Sequence, residues 1–140
     1  MKKAFTLIEL LLVIIIIGIL INVALPVLRV NFDKLQLESF SSRLLSLMNY
    51  LQQRAVAEGK IIFLDLDPDN KIYWVQRKDE SKLGTYSIPP DLTVTVPENK
   101  VAFYPDGSMD KITITINNRL GQSIGITSKG VFGGVKLQAQ

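Results

Sequence analysis

Asp65, Asp67 and Asp69 alternate along one stretch, the spacing at which the first half of a calcium loop presents its oxygen ligands. Such a loop also takes a Gly at its sharp turn and a bidentate Glu at its end. Asn70 and Gln76 occupy those two positions, and Pro68 interrupts the acids. A strand running into an ordinary turn explains the same carboxylates, so no metal is expected. A carboxylate enzyme would have to draw on Asp65, Asp67 and Asp106, and no pair of them is spaced for general acid–base work. Pro105, Asp106 and Gly107 read as a turn instead. The chain contains no Cys and no His. Disulfides, thiolate zinc sites, Cys nucleophiles and His-based triads are therefore excluded. The expectation is a protein that is not an enzyme and takes no cofactor.

One carboxylate stands apart. Glu9 precedes twelve consecutive residues, Leu10 to Ile21, all apolar or Gly. A charge inside such a segment costs about 2.5–3.5 kcal/mol at the centre of a bilayer and less near its surface. Either Glu9 lies at headgroup level, or it has a charged partner supplied by processing or by another subunit. The stretch 5–28 is long enough to cross about 30 Å of hydrocarbon as a helix. Lys2 and Lys3 in front of it favour a cytoplasmic N-terminus. A secretory signal begins similarly. Here Asn22 would occupy the outer small position of a cleavage site at Ala24, and the helical pattern continues past Leu28. The expectation is a retained membrane helix.

Lys2-Lys3-Ala4-Phe5-Thr6-Leu7-Ile8-Glu9-Leu10 resembles the processing motif of type IV prepilins and pseudopilins. The resemblance implies that a prepilin peptidase cuts between Ala4 and Phe5 on the cytoplasmic side and N-methylates Phe5. The family has Gly before the cut, where this chain has Ala4. Glu9 and Pro26 both fall where the family pattern has them. Cutting there would place a free α-amine one helical turn from Glu9. A buried amine and a buried acid are each costly alone and tolerable as a pair. Pairing Glu9 with the Phe5 amine of a neighbouring subunit would set the stagger between subunits.

Pro26 removes a backbone donor and crowds the carbonyl four residues earlier, which predicts a kink near residue 22. Beyond it Leu28, Phe32, Leu35, Phe40, Leu44, Leu47, Leu51 and Ala55 approximate a 3.6-residue period, with Leu37, Leu45 and Met48 widening the stripe. Gly59 is the expected stop. A helix over 5–58 would measure about 81 Å at 1.5 Å per residue. From Lys60 the period falls to two. Ile61–Leu66 and Ile72–Val75 flank Pro68-Asp69-Asn70-Lys71 as a hairpin. Further strands are expected at Leu92–Val96, Val101–Phe103, Ile112–Ile116, Ser123–Ile126 and Val131–Leu137. The fold class is α+β: a long N-terminal helix, transmembrane in its first half and amphipathic in its second, packed on an antiparallel β-sheet head. The divisions are a leader at 1–4, a membrane or filament-core helix at 5–28, the amphipathic helix of the head at 29–58, and the β head at 59–140.

Phe103–Ser108, Lys111–Asn117 and Gly125–Val131 resemble the head of H-type minor pseudopilins of type II secretion and their FimT-like relatives in type IV pili. That resemblance implies a structural subunit of a pilus or pseudopilus. Its partners would be prepilin peptidase, other pilin or pseudopilin subunits, an inner-membrane assembly platform and the lipid bilayer. Its place would be the bacterial inner membrane, single-pass with the head on the extracytoplasmic side, and then the filament. A pilus-tip DNA receptor is the alternative. The residues for it are Lys129, Phe132 and Lys136, sparse beside what phosphate binding demands. Without Lys2 and Lys3 the 16 basic residues fall to 14 against 13 acids, so net charge adds little to that case.

Overall fold

The computed structural model describes residues 6–79, 82–128 and 136–139, with the side chains of 23–30 and 136–139 left out of the description. It divides into two units, 1–32 and 33–140, each treated by itself.

Both units draw on α1, Leu7–Glu58, which continues through Pro26 as one element. Its end is fixed by backbone geometry. Gly59 takes φ +62°, its N–H reaches the Val56 carbonyl at 3.3 Å, and the Lys60 N–H reaches Ala55 at 3.2 Å. This is a Schellman closure, which needs a left-handed residue at the point where Gly59 stands.

The head has eight strands: β1 Ile62–Asp67, β2 Ile72–Arg77, β3 Lys82–Ser87, β4 Thr93–Thr95, β5 Lys100–Phe103, β6 Thr113–Asn117, β7 Ser123–Thr127 and β8 Lys136–Ala139. They form two antiparallel sheets, ordered β3-β2-β1-β5 and β4-β6-β7-β8. The expected hairpin is present, with Leu64 opposite Val75. In its turn Lys71 adopts φ 56° and donates through Nζ to the Leu92 carbonyl at 2.5 Å. The expected Val131–Leu137 strand lies largely outside the described residues, and β8 begins at Lys136.

Period-two alternation puts Ile62, Leu64 and Leu66 of β1, Val75 of β2, and Ile114 and Ile116 of β6 into one core with Phe103 and Leu92. From α1 the core receives Leu37, Phe40, Leu44, Met48, Leu51 and Ala55. The helix stripe therefore differs from expectation. Leu37 and Met48 lie on its centre line rather than its margin, whereas Phe32 and Leu35 are exposed. Between the sheets Asp110 acts as a joint. Its carboxylate accepts the Ala102 N–H at 2.8 Å and the Tyr104 hydroxyl at 3.1 Å, while its carbonyl accepts the buried Ser128 hydroxyl at 2.9 Å. At the end of α1 Glu58 accepts from Arg54 Nε at 2.6 Å and from Arg77 Nε at 3.0 Å, tying the helix to β2. The adjacent guanidinium groups hold the Glu58 carboxyl below the usual range.

Candidate functional site

Among its described side chains the first unit has no core of its own. Every Leu, Ile and Val from Leu7 to Ile21 is exposed, Leu7 at 82%. A continuous apolar surface of this extent marks contact with lipid or with other protein. Among the described residues no helix is long and apolar enough to cross a membrane. The described apolar run, 7–22, measures about 24 Å at 1.5 Å per residue. The expected span over 5–28 continues past it on both sides, into residues left out of the description.

Thr6 opens this helix. Its carbonyl accepts the Leu10 N–H at 3.2 Å, and its hydroxyl accepts the Glu9 N–H at 3.3 Å. Thr6 is thus the N-cap and Glu9 the third helical residue, the Thr-x-x-Glu spacing of a capping box. This gives Glu9 a local role beside the two expected of it: an acid in the first turn is stabilised by the helix dipole. The signal was present in the four residues Thr6-Leu7-Ile8-Glu9. Further along, Asn22 donates its side-chain amide to the Gly18 carbonyl at 2.8 Å, which satisfies a polar group within the apolar run.

Of the processing and assembly residues, Ala4 and Phe5 lie outside the described residues. Glu9 is exposed on the first turn, and Pro26 is described only as backbone of α1. Lys129 and Phe132 also lie outside the described residues, and Lys136 is described only as backbone of β8. The candidate acids Asp65, Asp67 and Asp106 each engage separate partners. Asp65 faces Lys100 at 3.7 Å. Asp67 holds the turn through the Asn70 N–H at 3.1 Å and the Asn70 amide at 2.7 Å, and these bonds lower its pKa. Asp106 accepts the Ser108 hydroxyl at 2.6 Å and N–H at 2.9 Å, again depressing its pKa. Among the described residues no three acids come together as a metal site.

Two comparisons bear on this arrangement. Residues 1–21 match the prokaryotic N-terminal methylation motif. In structure the chain is similar to EpsH, a minor pseudopilin from the type II secretion system of Vibrio cholerae. The TM-score is 0.58 at 17% identity, covering 76% of this chain and 96% of that one. It is also similar to FimU, a type IV minor pilin of Pseudomonas aeruginosa. There the TM-score is 0.61 at 15% identity, covering 77% of this chain and 90% of that one. No curated protein sequence matches the chain. The chain thus carries a prokaryotic N-terminal methylation motif and a fold like that of these two proteins.

Proposed function

We propose that this chain is a minor pilin or pseudopilin: a non-enzymatic structural subunit, cut by prepilin peptidase between Ala4 and Phe5 and N-methylated on Phe5. It enters a type II secretion pseudopilus or a type IV pilus through its N-terminal helix. The observation that carries this reading is the uncovered apolar surface of Leu7–Ile21, led by the methylation motif, on a chain whose head closes its own core. The helix, whose described apolar side chains are uncovered, is the part that seeks a partner. Lipid covers it in the inner membrane and neighbouring helices cover it in the filament. Contacts of this type are heterologous and non-closing, the geometry that generates helical assemblies. Pairing of Glu9 with the Phe5 amine of the next subunit sets the stagger. Pro26 lies where the helix loses a backbone donor and can bend within the assembly.

The test is the intact mass of the membrane-fraction protein, wild type and Glu9→Ala, with and without co-expressed peptidase, together with recovery in sheared filaments. Loss of Met1–Ala4 and gain of one methyl group are expected in both proteins when the peptidase is present. Filament recovery is expected to fall about tenfold or more for Glu9→Ala, which corresponds to about 1.4 kcal/mol of pairing. Equal recovery of the two proteins would refute the pairing. An unprocessed mass would refute the subunit.

A further inference from the structure

β3 is an edge strand, and its open side faces a groove. The Ile88 N–H donates to the Lys71 carbonyl at 2.8 Å, and Tyr86 lies opposite Tyr73. Antiparallel pairs alternate between bonded and non-bonded. Ile88, Tyr86 and Gly84 therefore direct their backbone groups toward β2, while Thr85 and Ser87 direct theirs outward. Among the described residues no backbone bond meets Thr85 or Ser87 on that outer side. At the other edge of the same sheet, Asp110 and Met109 meet β5.

Beside this edge lie two cavities of about 480 and 440 Å³ that share Arg43, Tyr73 and Ser87 as lining and so form one groove between α1 and β3. Its floor is aromatic. Tyr86, 43% exposed, stacks on Tyr73 at 5.1 Å, and Phe40 meets Tyr73 edge-on at 6.1 Å. Two groups in the groove lack a counterpart. Among the described residues Arg43 has no ion pair, and no acid lines either cavity. The Gln36 side-chain carbonyl, which lines the same groove, is buried without a donor.

We infer that this groove receives an extended, carboxylate-bearing segment of another filament subunit, added as a strand along β3. This rests on the subunit reading above and names a partner for the head. The free edge supplies main-chain bonds through Thr85 and Ser87, and the aromatic floor takes alternate side chains of the incoming strand. Its carboxylate neutralises Arg43. A second copy pairing through its own β3 does not fit these demands, because Lys82-Leu83-Gly84-Thr85-Tyr86-Ser87 carries no acid and would bring a further cation. Nucleic acid is disfavoured as well, since Arg43 is the single cation among the described residues that line the groove.

The experiment places a photo-crosslinking residue at Thr85 or Ser87 of the full-length chain in membranes that make the filament. Thr113, exposed on β6 in the other sheet, serves as the control position. The crosslinked partner is sequenced by mass spectrometry, and the same samples are scored for processing at Phe5 and for filament recovery. Expected are adducts from Thr85 and Ser87, but not from Thr113, to an acidic stretch of a different subunit. They should drop about tenfold or more in Arg43→Glu. The Ser87 adducts should drop similarly in Thr85→Pro, which removes an outward donor and leaves the β2 ladder intact. Adducts to lipid, to nucleic acid or to a second copy would overturn the inference. So would adducts unchanged by both variants, or no adduct from a processed, filament-incorporated chain. In that last case the subunit reading stands and the groove alone is wrong; an unprocessed chain refutes both.

Discussion

At Asp65 one carboxylate oxygen is buried without a partner, and Lys100 offsets it from 3.7 Å. Burial outweighs the lysine and raises the pKa of this carboxyl. An acid with a raised folded pKa costs stability once pH climbs above its unfolded value of about 3.9, and the cost persists to neutral pH. Below that value both states are protonated and the cost vanishes. Asp65→Asn should therefore melt higher than wild type at pH 7, because the amide carries no charge to bury. The gain should disappear near pH 3, and paired thermal melts at the two pH values check it. Glu58 behaves oppositely. Its pKa is lowered by Arg54 and Arg77, so its contribution is present at neutral pH and is lost as pH falls. At this scale the sequence was partly legible. The processing motif could be read from Lys2 to Leu10, but Glu9 drew attention as an anomaly, and that hid its ordinary role three residues after the Thr6 cap.

Along α1, hydrophobic content and burial part company. Leu44 is wholly buried, while Leu35 is 62% exposed. Leu44→Ala is expected to destabilise the head by about 2–5 kcal/mol, the cost of a cavity in a close-packed core. Leu35→Ala is expected to change it by less than about 0.5 kcal/mol. Chemical denaturation of the two variants decides the matter, and equal losses would show that Leu35 is packed. The stripe was misread because Leu is dense on several faces of residues 28–51, so periodicity alone could not choose between Leu35 and Leu37. The β1–β2 hairpin was legible from its turn chemistry. β3 was not, because an edge strand with mostly exposed side chains, Gly84 at its centre and Leu83 three residues from Tyr86 leaves no period of two to find. The strand that sequence reasoning missed is the one that offers the open edge.

Taken whole, the chain joins two units, one with its described apolar side chains exposed and one that buries a core. Backbone bonds of the first unit are satisfied within the helix, so an apolar medium preserves it. The head depends on burying the residues of its core away from water. Heating the full chain in detergent should therefore remove helical ellipticity in two stages, the residues of 33–58 melting with the sheets and those of 7–22 persisting. A single complete transition in far-ultraviolet circular dichroism would show that the units unfold together. The chain also has one tryptophan, Trp74, half-buried in β2 with the Lys82 ammonium 5.6 Å from its ring. Tryptophan emission from this protein thus has a single source, located in the sheet that borders the groove. A strand added along β3, or a head that opens, changes the colour and intensity of that light, while everything that happens to the apolar helix stays dark to it.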